Sequence, residues 1–218
     1  MKKSANKIFI LLVSVVIAIL VLVKISGILN SSYEMFYEGD VRHFRANLIE
    51  ADKVPVYPNE SAIKNVILNP EVYKIYIAYF PNDTENPYYL ASTFEIVNKL
   101  GIVYRHVFKN DTIGTYKDSD GSSCLVFQSN RKTKCFRSFP INSTDELVPT
   151  DIEPVILLLG PLKTNKTAVT VNNYLITLEA KDFSEINKNY NDLDLATDKM
   201  LLVLMKDASI WHIFLNHS

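Results

Sequence analysis

Several scarcities narrow the reading of this chain before any motif is considered. Glycine occurs only six times in 218 residues, so a glycine-rich loop that cradles phosphate has little to be built from. No G-x-S-x-G nucleophile elbow occurs either. Cysteine occurs twice, at Cys124 and Cys135, which excludes a disulfide-dense scaffold and a four-cysteine zinc site. The four histidines, His43, His106, His212 and His217, stand far apart and lack metal-ligand spacing. Charge of one sign is also missing: 23 Lys and Arg face 24 Asp and Glu, interspersed, for a net charge of −1. No basic face therefore invites nucleic acid. No catalytic set, metal site or cofactor is expected from these residues.

Long apolar runs are equally scarce, with one exception. Ile8 to Val23 is apolar except for Ser14, and the run resumes after Lys24 to reach Leu29. Sixteen residues make about 24 Å of helix and twenty-two about 33 Å, against a hydrocarbon core of about 30 Å. Lys2, Lys3 and Lys7 precede the run and no comparable basic cluster follows it closely. The positive-inside rule then keeps residues 1–7 cytoplasmic, makes 8–29 a transmembrane signal-anchor and sends the rest outside. Residues 30–40 read as a juxtamembrane linker, with Tyr33, Phe36 and Tyr37 at the outer interface, and 41–218 as one extracytoplasmic domain. A cleaved signal peptide is the competing reading. Its apolar region would be about 7–15 residues with a small-x-small site, which Ile25-Ser26-Gly27 fits poorly.

Two further patterns bear on export. Asn-x-Ser/Thr occurs seven times, at Asn30, Asn59, Asn82, Asn110, Asn142, Asn165 and Asn216. Chance placement of 19 Asn among 28 Ser and Thr gives about 2.4 such sites. Asn59, Asn82, Asn110, Asn142 and Asn165 are the acceptors expected to carry glycans, although Asn, Ser and Thr also gather in loops because they form turns. In CLVFQSNRKTKCF, a two-residue turn at Ser129-Asn130 sets Cys124 opposite Cys135 on antiparallel strands. Opposed Cβ atoms lie about 4.5–5.5 Å apart, close to disulfide geometry. The alternative is two reduced, half-buried cysteines.

LLLGPLKTNKT, Leu157 to Thr167, resembles a phosphate-binding loop with Asn165 in place of its second glycine. Such a loop must lead into a helix, whereas AVTVNNYLITLEA alternates like a hairpin turning at Asn172-Asn173. A nucleotide is not expected.

The exported part reads as α/β: a small mixed sheet with helices packed on it. VRHFRANLIE alternates as a strand. Asn59 or Ser61 caps a short helix that stops at Asn69-Pro70. VYKIYIAYF and EPVILLLGP read as buried strands, and NSTDEL as a single capped turn. Leu90, Phe94, Val97, Gly101, Tyr104 and Phe108 mark one helical face, and Leu193, Ala196, Met200 and Leu204 another. IWHIF near the end reads as a last strand or a clamp.

In open α/β sheets ligands gather at the carboxyl ends of strands. That places a candidate ligand loop at Asn82, Asp83, Thr84, Glu85 and Asn86, with Gly160 at the end of the neighbouring strand. Lys117-Asp118-Ser119-Asp120-Gly121 holds only a fragment of a calcium loop, and Asp192, Asp194 and Asp198 carry a spacing that clusters carboxylates on a helix, explained equally well by capping and the helix dipole.

FRANLIEADKVPVYPNE, NDTENPYYLASTFEIVNKL, EPVILLLGP, NKTAVTV and DLDLATDKMLLVLM together resemble a family of membrane-anchored archaeal proteins with no assigned activity. The resemblance implies an archaeal cell surface and transfers no catalytic residue. The expected role is a non-catalytic binding or envelope-assembly domain, with the bilayer and a surface protein as partners. A cell-surface hydrolase or transferase working near residues 81–87 is the alternative.

Overall fold

The computed structural model describes residues 31–107, 112–127, 133–184 and 189–206. The apolar run 8–29, Asn30, Asn110, the Ser129-Asn130 turn, Phe108, IWHIF and Asn216 lie outside them. None of the described helices is long and apolar enough to cross a membrane.

Strands β1 (Glu34–Tyr37) and β2 (Asp40–His43) form a hairpin. Helix α1 (Leu48–Asp52), strand β3 (Val56–Tyr57) and helix α2 (Glu60–Ile67) follow. Next come β4 (Lys74–Tyr79), the 22-residue helix α3 (Asn86–Val107), and β5 (Thr112–Lys117), β6 (Ser123–Phe127) and β7 (Thr133–Pro140). The chain continues through β8 (Val155–Leu159), β9 (Ala168–Asn172), β10 (Leu175–Glu179) and helix α4 (Asp192–Met205). Eight strands make one mixed sheet in the order β3-β9-β10-β8-β4-β7-β6-β5. Its centre, β10-β8-β4-β7, is parallel, and the flanking β9-β10 and β5-β6-β7 pairs are antiparallel. The protein is thus α/β, with a mixed sheet and helices packed on it.

Alternation divides the sheet into two faces. Ile75, Ile77, Ile156, Leu158, Val169, Ile176 and Leu178 join Tyr89, Ile96, Leu100 and Val103 of α3 and nearly all of α4 in the main core. On the other face Ala78, Val155 and Leu157 are covered by Ile141 and Leu147 of the connection between β7 and β8. That connection contains the expected capped turn: Ser143 and Glu146 form a capping box over Thr144–Glu146.

Four expectations shift in the structure. Residues 31–40 are part of the fold, because Met35 and Tyr37 on β1 are buried in the core and only Phe36 of the expected interfacial aromatics faces outward. The strand expected through VRHFRANLIE ends at His43, because the Asn47 side chain accepts the N–H groups of Ile49 and Glu50 and starts α1. The β9–β10 turn falls at Asn173-Tyr174, one residue later than expected: Asn172 pairs Leu175, and Asn173 takes φ +51°. Helix α3 turns a different face inward. Tyr89, Ser92, Ile96, Leu100 and Val103 are buried, and Tyr104 of the expected face with them, while Leu90 and Phe94 of that face are 57% and 72% exposed. Phe94, Val97 and Gly101 instead line an open groove of about 350 Å³ against β6, where Leu125 Cδ1 would lie 3.2 Å from a Cβ at Gly101. The reason is α4. It packs beside α3 and draws the stripe carrying Ser92, Glu95 and Lys99 inward.

Cys124 and Cys135 occupy opposed positions on β6 and β7 and are joined by a disulfide. The bond closes a loop with a sequence separation of 11. In the chain-entropy account a loop of that size is worth about 2–3 kcal/mol. Reduction, or Cys124→Ser with Cys135→Ser, is therefore expected to lower the unfolding free energy in urea by that amount, with a lower midpoint and an unchanged fold; an unchanged midpoint would refute it.

Candidate functional site

Strand order sets where a ligand crevice would open. From β4 the chain moves through α3 to β5, β6 and β7 on one side; from β8 it moves to β9 and β10 on the other. The carboxyl ends of β4 and β8 therefore flank the topological switch point of the sheet. The expected loop and Gly160 meet there.

The polar groups at this point are bound to one another. Asn82 Oδ1 accepts the Thr84 N–H (3.0 Å) and hydroxyl (2.6 Å), and Asn86 Oδ1 accepts the Asn82 N–H (3.1 Å). This local closure starts α3 and leaves Asp83 and Thr84 facing solvent. Glu85 is 5% exposed. Its Oε2 accepts the Tyr89 hydroxyl at 2.7 Å, and its Oε1 accepts the Leu162 N–H at 3.4 Å. Tyr89 Oη in turn accepts the Gly160 N–H at 3.0 Å. A relay thus runs from the backbone amide just after β8 through a phenol to a carboxylate, joining the two strand ends. Burial, with the bond to Glu85 and its charge, pushes the Tyr89 pKa far above the ordinary phenol value, so it remains a neutral donor. Tyr89 stacks on Tyr79, and Phe183 packs against both Tyr88 and Tyr89. The structure brings Glu85 and Gly160 of the candidate loop together, with the Tyr89 and Phe183 side chains between them.

A second constellation joins two of the aspartates singled out in the sequence, Asp194 and Asp198, to residues that the sequence did not mark. Between α3, α4 and residues 44–46, Glu95, Lys99, Asp194 and Asp198 are buried, Asp198 completely. Arg45 Nε donates to Asp194 Oδ1 (2.6 Å), the Ala46 N–H to Asp198 Oδ2 (2.6 Å), and Lys99 pairs with Glu95. Lys99 Nζ also lies 4.4 Å from the centre of the Phe44 ring. Burial, against the opposing Ala46 N–H bond, pushes the Asp198 carboxyl up to about 8, with further upward contributions from the Glu95 and Asp194 charges. At neutral pH it is mostly protonated. Asp194 closes a capping box with Asn191, as expected for an acid at a helix start, but Asp198 lies a turn deeper and does no capping. The signal was present: DLDLATDKMLLVLM is apolar on nearly all sides, so such a helix must be buried together with its charges.

The remaining charged motifs are spent on structure. Asp120 accepts from Lys74 (2.9 Å) and lies 3.4 Å from Arg137, and Asp118 is 3.6 Å from Lys74, so the fragmentary calcium loop is a turn held by cations. Among the described residues no group of His, Cys, Asp and Glu is placed to hold a metal ion. Lys166 pairs with Glu179 at 2.9 Å, and β9 rather than a helix follows the Gly160–Thr167 segment, so the phosphate-loop pattern has no helix N-terminus. His43 pairs with Glu34 and His106 with Glu38; His212 and His217 lie outside the described residues. Of the expected glycan acceptors, Asn59, Asn142 and Asn165 are exposed, Asn82 is half-buried, and Asn110 lies outside the described residues. Asn59 also caps α2, accepting the Ala62 N–H. No known protein family, curated protein or solved structure matches the chain.

Two outcomes follow from this geometry. A Cβ at Gly160 would lie 2.7 Å from Tyr89 Oη, 2.8 Å from Phe183 Cζ and 2.9 Å from Glu85 Oε2. Gly160→Ala is expected to cost about 1–3 kcal/mol in urea unfolding by overpacking; a neutral substitution would mean the crevice is open. The Asp198 carboxyl is raised from 3.8 in the unfolded chain to about 8 in the fold. The folded state therefore holds the proton more tightly, and this group's stabilisation is complete below the unfolded value and lost as pH rises towards 8. The slope in that window reaches at most about 1.4 kcal/mol per pH unit. Asp198→Asn keeps a carbonyl for the Ala46 N–H and removes the titration. Its unfolding free energy is expected to fall less than that of the parent chain between about pH 5 and pH 8, and parallel profiles would exclude Asp198 as the group responsible.

Proposed function

We propose that the protein is a single-pass membrane protein displaying one glycosylated α/β domain outside the cell, where it serves in binding or envelope assembly rather than catalysis. The observation that carries this reading is the disulfide between opposed β6 and β7 positions, because structural disulfides persist in oxidising compartments. The apolar run 8–29 with its preceding lysines supports the same topology, as does the exposure of Asn59, Asn142 and Asn165. The resemblance noted above adds an archaeal cell surface as the setting. A non-catalytic role is favoured by the switch point, where Glu85 and Tyr89 are engaged with Gly160 and Leu162.

The test is made on the full chain in the membranes of a host that N-glycosylates. The protein is expected to resist alkaline carbonate extraction, and a C-terminal tag should be cleaved by protease added to intact cells. Asn59→Gln, Asn142→Gln and Asn165→Gln should each remove one glycan increment from the intact mass. A tag reached only after permeabilisation would place the domain in the cytoplasm and end this reading.

A further inference from the structure

We infer that the β1–β2 hairpin is a bilayer-docking surface: the Phe36–Val41 pair sits in the interfacial layer of the membrane that residues 8–29 span, and fixes which side of the domain faces the lipid. The inference rests on the membrane-anchored reading and adds an orientation to it.

The hairpin has two faces of different character. Met35 and Tyr37 point inward and are 1% exposed each, part of the main core. Phe36 and Val41 stand directly opposite each other on the outward face and are 49% and 45% exposed. Directly opposed side chains of this kind form one contiguous apolar contact. Ile49, on the first turn of α1, is a third large apolar side chain left 52% exposed. A cross-strand aromatic–β-branched pair contributes modestly to the stability of a hairpin, and its outward position also presents apolar surface on the element that directly follows Ser31–Tyr33.

The charges around the pair are paired among themselves. Glu34 binds His43 at 3.1 Å, and Asp40 binds Arg42 at 3.1 Å. Glu38, in the turn, pairs with His106; the hairpin's three carboxylates, Glu34, Glu38 and Asp40, outnumber its one guanidinium, Arg42, so zwitterionic headgroups suit this face better than anionic ones.

Chain length then selects the occupant. The apolar run ends at Leu29, and the fold begins with the 3-10 turn Ser31–Tyr33. At no more than about 3.6 Å per residue, Ser31 lies within about 7 Å of the end of the run, and Phe36 within about 25 Å. A domain of this size is about 40 Å across, so a tether this short holds the surface around its point of exit against the bilayer. An apolar ring beside a branched aliphatic is the kind of surface that buries itself at the boundary of headgroups and acyl chains.

The experiment places a nitroxide at Phe36→Cys, Val41→Cys and, as reference, Val148→Cys, in the full chain within phosphatidylcholine nanodiscs. Val148 is 78% exposed and belongs to the connection covering the opposite face of the sheet. Labels at 36 and 41 are expected to lose accessibility to a water-soluble nickel chelate several-fold relative to 148, while gaining accessibility to oxygen. Equal chelate accessibility at all three positions, in protein that still resists carbonate extraction, overturns the docking and leaves the anchor standing. Carbonate-extractable protein overturns both. Spin–spin broadening between copies labelled at 36 shows a dimer contact in place of lipid and overturns the docking. Should a label disturb the hairpin, hydroxyl-radical footprinting of the unsubstituted chain decides: Phe36 must be protected in nanodiscs, relative to its intrinsic reactivity, more than Val148.

Discussion

The fold depends on one helix being buried on every side. Thirteen residues of α4 are buried, and it packs against α1, α2, α3, β9 and β10. Such a helix cannot leave its charged residues in water, so each must find a partner from another part of the chain. Asp194 and Asp198 meet Arg45 and the Ala46 amide, and Lys199 meets Asp52 and Glu60 at 2.6–3.0 Å. Lys206 meets Asp52 as well. All these contacts span 139–154 residues of sequence. They fasten the first quarter of the described chain to its last helix. Asp194 and Lys199 are buried while their partners Arg45, Asp52 and Glu60 are partly exposed, so removing a partner leaves a buried charge unmatched and costs more than losing a surface pair.

With α4 in place, the remaining layers follow. The core strands present Ile75, Ile77, Ile156, Leu158, Ile176 and Leu178 to the helices, and α3 is rolled so that its polar Ser92-Glu95-Lys99 stripe meets α4 while Phe94 turns outward. At the strand ends the Gly160–Tyr89–Glu85 relay ties β8 to α3. Hydrogen bonds in such a chain polarise one another in a low dielectric. The absence of a Cβ at Gly160 is what allows the phenol to approach, since the nearest atoms would lie under 3.0 Å from it. The same glycine that marks the place a ligand would be sought is used to fill that place.

What was legible in the sequence, and what was not, divides along physical lines. Strands β4 and β8 were readable because a continuous β-branched and aliphatic run has few other homes. The Asn59 cap and the Ser143 capping box were readable because they are local chemistry. The Cys124–Cys135 pairing was readable from counting residues between opposed positions. The β9–β10 turn was misplaced by one residue for a definite reason. Moving a turn by one shifts the register by two, which keeps Val169 and Val171 on the same face as Ile176 and Leu178. The apolar pattern is indifferent to the choice, and only the φ +51° at Asn173 decides it. The inward face of α3 was missed because polar residues were taken as outward markers, when here Glu95 and Lys99 pair with each other and Lys99 lies over the Phe44 ring. The buried Asp198 was missed because helix-start acids have a sufficient local explanation, one that holds for Asp194 but not one turn further on.

The hairpin and the buried charges bear on each other. The segment 33–46 is clamped along its length: Tyr33 packs edge-on against Tyr190, Tyr37 against His106, Phe44 under Lys99, and Arg45 onto Asp194. It is therefore fixed to both ends of the helical layer, near the start of α4 and the end of α3. In a membrane-anchored protein, any load on the anchor would pass through Ser31 directly into these contacts, with no slack stalk to absorb it. Rotation of the domain about the exit point would then require either the hairpin to peel away, exposing Met35 and Tyr37, or the whole body to turn as one. The first costs core burial, at about 25 cal/mol for each Å² of apolar surface returned to water. The second is opposed only by whatever holds the outward face of the hairpin. The rigidity of segment 33–46 is thus what would turn a weak contact at Phe36 and Val41 into an orientation of the entire domain.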